Sequence, residues 1–229
     1  MRSLQTRALE EEQMDDPALP PEVYDQVLAD VGRVNRWTFA ARPTLAFLKR
    51  GTRGMKRFRL LDVGFGEGGM LRLVARSARR AGIEAELTGV DLNPKSAAAA
   101  RAATPPDLRI DWRTGDYRDL GRFDFVISSL VAHHMSADEL RAFLRWMEAN
   151  ADRGWMVNDL HRHRFSYAGY PLLARLLRVH RIVREDGQLS IARAFRPCEW
   201  PAILADAGVP DVARVKRFFP FRLCVERLR

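Results

Sequence analysis

Cysteine and long apolar runs are scarce in this chain of 229 residues. Its two cysteines, Cys198 and Cys224, form no CxxC pair and have no histidine-rich partner motif, so neither a disulfide framework nor a zinc site is indicated. No uninterrupted apolar stretch approaches the ~20 residues that cross a bilayer, and the N-terminus lacks the apolar segment of a secretory signal. We therefore expect a soluble cytoplasmic protein that holds no metal ion.

Positive charge, in contrast, is in excess. The chain has 38 lysine and arginine residues against 29 acidic residues, which gives a net charge of +9. Such an excess suits nucleic acid, anionic lipid or an acidic metabolite. The basic residues are scattered and are not clustered with aromatic residues, so the pattern does not favour nucleic acid. The segment 171–184 mixes leucine with arginine and leaves peripheral contact with a membrane open. The oligomeric state is not predicted by the sequence.

Strands and helices alternate along most of the chain, which predicts an α/β fold with a parallel, doubly wound sheet. The C-terminal segments VARVKRF (212–218) and FRLCVERL (221–228) predict an antiparallel hairpin at one sheet edge. Apolar periodicity predicts strands at 58–64, 85–91, 107–112, 123–129 and 154–159, and helices within 21–50, from the glycine-rich turn to about residue 80, and at 94–103, 136–149 and 197–207.

The length fits one domain better than two. We expect a flexible lead-in over 1–20 and a single domain over 21–229, in which 21–50 forms a helical cap. The segment 160–196 is longer than an ordinary connection and predicts a cover over the substrate. Its only glycines, Gly169 and Gly187, mark the places where a hinge would most easily form.

The segment LLDVGFGEGG (60–69) carries the clearest chemical signal. Gly64, Gly66 and Gly69 have the spacing GxGxxG between a predicted strand and a predicted helix, where glycine lets the backbone approach a ligand closely. The helix N-terminus presents unpaired N–H groups, and Asp91 ends the next strand, where a carboxylate accepts both hydroxyls of a ribose. These features predict a ligand that contains a nucleoside.

Charge indicates which nucleoside binds. Glu67 stands in the turn and Asp62 lies two residues before its first glycine, so two carboxylates would oppose the pyrophosphate of a dinucleotide. S-adenosylmethionine has no phosphate and carries an ammonium and a sulfonium, which suit these acids. Asp116 follows the third strand and either accepts a hydrogen bond from adenine or caps a turn. An NAD(P)-dependent oxidoreductase and an RNA-binding or RNA-modifying protein remain the alternatives.

Four motifs, LLDVGFGEGG, GVDLNP, RTGDYRDL and FDFVISSLVAHHM, resemble in order and spacing those of class I S-adenosylmethionine-dependent methyltransferases. The resemblance covers about residues 55–160 and is closest to the small-molecule branch of the ubiquinone and menaquinone type. It implies a Rossmann-like, seven-stranded, mostly parallel sheet with helices on both faces and an antiparallel C-terminal strand. Phe65 departs from the Cys or Ser that often follows the first glycine. The cofactor-binding residues implied by the resemblance are Asp62, Gly64, Gly66, Glu67 and Gly68 for the methionine moiety, Asp91 and Leu92 for the ribose, Asp116 and Tyr117 for adenine, and Ser129 and Leu130 beside the sulfonium.

Histidines follow the predicted fourth and fifth strands, on the side where open α/β sheets bind ligands. A neutral His161 could remove the proton of an acceptor hydroxyl, and His163 and His134 are further catalytic candidates. The alternatives are surface polar residues or helix caps, and an in-line displacement can also proceed without a dedicated base. The resemblance implies transfer to oxygen of an aromatic, polyketide-like or quinone-like acceptor of secondary metabolism, with nitrogen and carbon left open.

Overall fold

Seven strands form one sheet in the order β3, β2, β1, β4, β5, β7, β6, in a computed structural model that describes residues 3–16, 18–209 and 213–229. Strands β1 to β5 run parallel, and β7 lies antiparallel between β5 and β6. The strands are β1 (Arg57–Val63), β2 (Glu84–Asp91), β3 (Asp111–Thr114), β4 (Phe123–Ser129), β5 (Ala151–Leu160), β6 (Arg214–Phe218) and β7 (Arg222–Leu228).

Helices cover both faces of the sheet. Local signals set their starts: Ser136 and Glu139 form a capping box before α5, and the Asn93 side chain accepts a hydrogen bond from the Lys95 amide at the start of α4. The described helices are α1 (Pro21–Trp37), α2 (Arg42–Gly51), α3 (Gly69–Arg80), α4 (Pro94–Ala103), α5 (Ala137–Asn150), α6 (Arg164–Leu176), α7 (Arg181–Arg193) and α8 (Trp200–Asp206).

Successive apolar residues of the central strands face opposite sides of the sheet. Leu60 and Ile127 belong to the apolar cluster on one face, whereas Leu61 and Val126 belong to the cluster on the other. A strand that is covered on both faces has a nearly continuous apolar sequence, as in RLLDV. The predicted α/β fold, with its seven strands and antiparallel C-terminal strand, is confirmed.

Two predicted boundaries are wrong. The third strand was expected at 107–112, but the Leu108 amide donates to the Pro105 carbonyl in a turn, so that β3 begins only at Asp111. The expected helix 197–207 is divided into a 3₁₀ turn, Pro197–Glu199, and α8. In the expected strand 212–218, Val212 lies outside the described residues, and β6 forms within the remainder.

The described part of the expected flexible lead-in packs against the domain. The Ala8 amide donates to the Ala192 carbonyl at 3.1 Å, and Arg7 Nε donates to the Arg193 carbonyl at 2.6 Å. Glu12 is only 4% exposed, and Asp186 of α7 accepts from the Met14 amide at 2.9 Å. These hydrogen bonds satisfy buried polar groups and hold the segment in place. Residues 1, 2 and 17 of the predicted lead-in lie outside the described residues.

Helices α6 and α7 form the segment that was predicted as a cover. Tyr170 of α6 donates its hydroxyl hydrogen to the Val183 carbonyl of α7 at 2.6 Å. A side chain at Gly187 would overlap the Tyr170 ring, so this glycine permits close helix packing. Gly169 and Gly187 both lie inside helices, which contradicts the expected hinge. Over the described ranges, the structure contains no helix both long and apolar enough to span a bilayer.

Candidate active site

The carboxyl ends of the parallel strands open into one large cavity of about 1060 Å³. Asp62 of β1, Ser129 of β4 and Asn158 of β5 lie in its wall, together with the glycine turn after β1. Helices α1, α6 and α7 contribute to the other side of the wall. Ligands of open α/β sheets bind at this edge. The chain leaves β1 toward β2 on one side and continues at β4 on the other, so a crevice forms between β1 and β4.

Three glycines in the turn after β1 have positive φ angles: Gly64 (73°), Gly66 (55°) and Gly68 (78°). A side chain at Gly64 would overlap Val131, and one at Gly68 would overlap Trp112. At Gly66, by contrast, no atom lies within 4 Å of the position that a Cβ atom would take. Gly66 also lines the cavity, so this backbone is open to a ligand.

The difference between Gly64 and Gly66 predicts different stabilities for two alanine variants. Gly64→Ala combines a left-handed backbone with a clash against Val131, and we expect its free energy of unfolding to fall by about 2–5 kcal/mol. Gly66→Ala carries only the backbone cost, about 1–2 kcal/mol. Urea unfolding of both variants measures the two values. Equal losses would show that the Val131 contact has no effect.

Asp91 links the end of β2 to the glycine turn. Its Oδ2 accepts from the Gly66 amide at 2.9 Å, and its Oδ1 accepts from the Asn93 amide at 2.9 Å. Each carboxylate oxygen can accept a further hydrogen bond, so the group can also bind the two hydroxyls of a ribose. Leu92 beside it is 74% exposed, which leaves an apolar surface free for a ligand.

Asp116 and Tyr117 follow the neighbouring strand β3. The Asp116 carboxylate accepts from the Arg118 amide at 2.8 Å and forms an ion pair with the Arg118 side chain, which is the capping role considered for this residue. Tyr117 packs edge-on against Phe143 and Trp146, with ring centroids 4.9 and 5.0 Å apart. Both residues therefore have structural partners, and an adenine contact remains a prediction.

Ser129 is the last residue of β4, and both Ser129 and the following Leu130 lie in the cavity wall. The Leu130 backbone has a φ of 64°, and its amide donates to the Asn158 carbonyl of β5 at 2.9 Å. Ser129 Oγ is buried and has no hydrogen-bond partner among the described residues. A buried hydroxyl without a partner is costly, so this atom is available to a ligand.

The three predicted catalytic histidines are not all at the cavity. His161 and His134 are among the described residues of its wall, whereas His163 is not. His163 instead caps α6, where its Nδ1 accepts from the Phe165 amide at 3.2 Å, and its ring stacks on Phe221. Burial, with smaller electrostatic contributions from the neighbouring His163, Arg217 and Arg196, lowers the pKa of His161, which favours the neutral imidazole.

A cluster of acids and histidines, of which Glu12, His133 and Asp159 are buried, lies beside these residues. His133 Nδ1 is 2.7 Å from Asp159 Oδ1, and His134 Nδ1 is 3.2 Å from Asp15 Oδ2. Glu12 Oε1 lies 3.6 Å from His133 Nε2 and 3.8 Å from His134 Nε2. Burial opposes the charged form of His133, but Asp159 and then Glu12 outweigh it and raise the pKa of His133 to about 9.

Comparisons with known proteins complete these observations. Solved structures with the same fold include magnesium protoporphyrin IX methyltransferase from Synechocystis PCC 6803 with bound SAH (17% identity, 95% of this chain and 91% of that chain, TM-score 0.59). The plantazolicin methyltransferase BpumL has 12% identity over 91% of this chain and 96% of its own, with a TM-score of 0.65. A SAM-dependent methyltransferase from Aquifex aeolicus has 19% identity over 78% and 85%, with a TM-score of 0.54.

At these identities the likeness concerns the fold, and no curated protein sequence matches the chain. A family model described as a methyltransferase domain, however, matches residues 60–154. This range contains the glycine turn, Asp91 and the end of β4. Residues 60–154 are therefore a methyltransferase domain, and the fold of the chain is that of S-adenosylmethionine-dependent methyltransferases.

Asp62 tests whether this methyltransferase has a place for the ammonium group of its cofactor. The residue is 1% exposed, and its Oδ1 has no hydrogen-bond partner among the described residues. Burial, with a smaller contribution from the charge of Asp91, raises the pKa of Asp62 to about 8. A buried carboxylate of this kind is stabilised by a cation, so the residue fits the ammonium group.

Proton release upon binding follows from the raised pKa of Asp62. In the free methyltransferase the carboxyl group is mostly protonated at pH 7, whereas an ammonium group favours the carboxylate. We expect the affinity for SAH to rise by up to about tenfold per pH unit below pH 8 and to level off above it. Calorimetry in buffers of different ionisation enthalpy measures the released protons, and Asp62→Asn removes this group while the amine of the ligand is retained. Equal proton release by both proteins would contradict the assignment.

One predicted site residue, Glu67, differs from the expectation, and one residue of the cavity wall, Arg222, was not predicted from the sequence. Glu67 lines the cavity, but its carboxylate forms an ion pair with Arg72 of α3, so its charge is already balanced and a contact with the methionine moiety remains a prediction. Arg222 of β7 is 2% exposed, lines the cavity and has no partner for Nη1 among the described residues. No sequence signal marks Arg222, because it stands in an ordinary terminal strand.

Proposed function

We propose that this methyltransferase transfers the methyl group to an oxygen atom of a small aromatic acceptor of the polyketide or quinone type. The size and lining of the cavity carry the proposal. Ligand pockets commonly measure about 300–1,000 Å³, and this cavity of about 1060 Å³ leaves room for an acceptor beside the cofactor. Known relatives in fold include methyltransferases of a porphyrin and of plantazolicin.

The acceptor end of the cavity is mainly apolar. Trp37, Phe39, Phe165 and Phe219 line it and are all more than 40% exposed, so aromatic faces remain free at the rim. Exposed apolar surface of this kind favours binding of an apolar or aromatic molecule. We propose that the segments 21–50 and 160–196, which carry three of these residues, act as cap and cover of the acceptor chamber.

S-adenosylmethionine supplies an electrophilic methyl group on a sulfonium sulfur. On the side of the protein, Asp62 and the Gly64–Gly66 backbone orient the donor, and Asp91 binds its ribose. Ser129 and Leu130, at the end of β4, position the reacting end of the donor. His161 accepts the proton of the acceptor hydroxyl, for which its lowered pKa provides a neutral ring at neutral pH.

An acceptor screen tests the proposal. The purified protein is incubated with S-adenosylmethionine and a panel of phenols, quinols, carboxylic acids and amines, and SAH formation is measured for each compound. We expect turnover with phenols or quinols and a product methylated on oxygen. Turnover confined to amines, or a product methylated on carbon, would overturn the choice of oxygen.

A further inference from the structure

Three metal-binding atoms converge in the cavity wall. Glu12 Oε1 and the Nε2 atoms of His133 and His134 are separated by 3.6 and 3.8 Å, and the ligand atoms of the three residues all lie within 4.8 Å of one another. These separations are too long for hydrogen bonds. Around a tetrahedral zinc ion with bonds of 2.0–2.2 Å, ligand atoms are about 3.4 Å apart. A decrease of a few tenths of an ångström in the two distances from Glu12, and of at most about 1.4 Å in the remaining one, would complete such a geometry.

The remaining ring nitrogen of each histidine is held by a carboxylate. Asp159 binds Nδ1 of His133 at 2.7 Å, and Asp15 binds Nδ1 of His134 at 3.2 Å. An Nδ1–H donated to a carboxylate leaves Nε2, which here faces Glu12, as the nitrogen that binds an ion once it has lost its own proton. Metal-binding histidines are commonly oriented by such a carboxylate. The same arrangement occurs twice in this cluster.

Nearby cations are engaged elsewhere. The guanidinium group of Arg7 donates to the carbonyl oxygens of His133 and Met135, and that of Arg193 donates to the carbonyl oxygens of His133 and His134. These contacts hold the backbone that carries both histidines. Glu12 itself receives the Ser190 hydroxyl at 2.7 Å, which is a neutral donor. The positive charge that faces the Glu12 carboxylate is therefore that of His133, and a bound metal ion would replace the ring proton of His133.

We propose that Glu12, His133 and His134 bind a divalent transition-metal ion of the zinc type. Two histidines and one carboxylate leave a coordination position open, as in catalytic zinc sites. All three residues line the cavity that also contains Asp62 and Ser129, so the open position is accessible from the acceptor chamber. The sequence indicated no metal site because Glu12 comes from a segment that reads as a flexible lead-in.

The class of acceptor oxygen follows, and this step rests on the proposed function. A phenolic hydroxyl bound at the open position loses its proton to His161 or water, because the ion lowers its pKa. The oxygen then forms a bond to the methyl carbon while the carbon–sulfur bond breaks and its electron pair stays on sulfur. The charge of the metal ion does not change. The site thus selects acceptors with a hydroxyl that can reach the ion.

Zinc binding tests the site without donor or acceptor. Metal-stripped protein is titrated with Zn²⁺ by calorimetry at pH 8, where the ion displaces the proton that His133 holds with a pKa of about 9. We expect about one ion per chain for the wild type. Glu12→Gln and His134→Ala are expected to bind more than about 100-fold more weakly, and Asp15→Asn roughly 10–100-fold more weakly. His180→Asn is the matched control with unchanged affinity, because His180 only caps α7.

The outcomes separate this site from the proposed function. Wild-type protein that binds Zn²⁺ no more tightly than Glu12→Gln would overturn the site, even if phenols are methylated. Stoichiometric zinc binding without turnover of any phenol or quinol would support the site and contradict the proposed function. SAH titration of each variant confirms folding, and the His134 side chain, 29% exposed, tolerates truncation without a large core cavity.

Discussion

Turnover of His161→Ala with a phenolic acceptor is expected to fall by roughly 10²–10⁴-fold, while its affinity for SAH stays at the wild-type value. The imidazole lines the acceptor side of the cavity, and burial keeps it neutral, so its loss removes a proton acceptor and no donor contact. Steady-state kinetics and calorimetric titration with SAH provide the two measurements.

His180→Asn again serves as the control, because it changes a histidine outside the cavity and keeps a side chain that can cap α7. Its turnover is expected to equal that of the wild type. Unchanged turnover in His161→Ala would remove this residue as the base. It would also shift the explanation of catalysis to alignment of the two substrates.

SAH binding by Asp91→Ala is expected to be weaker by more than about 100-fold. Hydrogen bonds to a charged group contribute about 1.5–3 kcal/mol each, and the alanine variant loses the two that the ribose hydroxyls would make. It also releases the Gly66 and Asn93 amides, so the turn against which the donor lies becomes less ordered. Calorimetric titration with SAH measures the loss.

Asp119→Ala provides the comparison for Asp91→Ala. Asp119 is an exposed carboxylate in the turn after β3, and its removal changes the net charge by the same amount. We expect wild-type affinity for this variant, so a loss in Asp91→Ala alone excludes a general effect of charge. Tight binding of SAH by Asp91→Ala would contradict the ribose assignment.

The sequence was sufficient to predict the sheet because its central strands are buried on both faces and read as short apolar runs. Leu60 and Leu61 face opposite sides of the sheet, and such a run has few alternative structures. The boundary of β3 could not be predicted, because a turn from Pro105 to Leu108 takes up the first residues of the expected strand. Propensity alone does not decide between them.

For the candidate site, strand ends were informative and distant contacts were not. Asp62, Asp91 and Ser129 each end a predicted strand or lie close to its end, so topology alone brings them to one edge. Glu12 belongs to an acidic run that resembles a solvated segment, and its contact with His133 spans more than a hundred residues. His163 caps α6 because this helix begins at the next residue, Arg164. Apolar periodicity does not locate the start of a helix to within one residue.

The cavity wall is formed partly by residues inside the matched methyltransferase domain and partly by residues outside it. Its donor wall comes from residues 60–154, whereas Glu12, Phe39, Phe165 and Arg222 of the opposite wall lie outside that range. Under the proposed function, the donor is therefore bound mainly by residues 60–154, whereas much of the acceptor wall, apart from His133 and His134, comes from the terminal and covering segments. Changes in the terminal and covering segments can alter which molecule is methylated while the methyl donor remains the same.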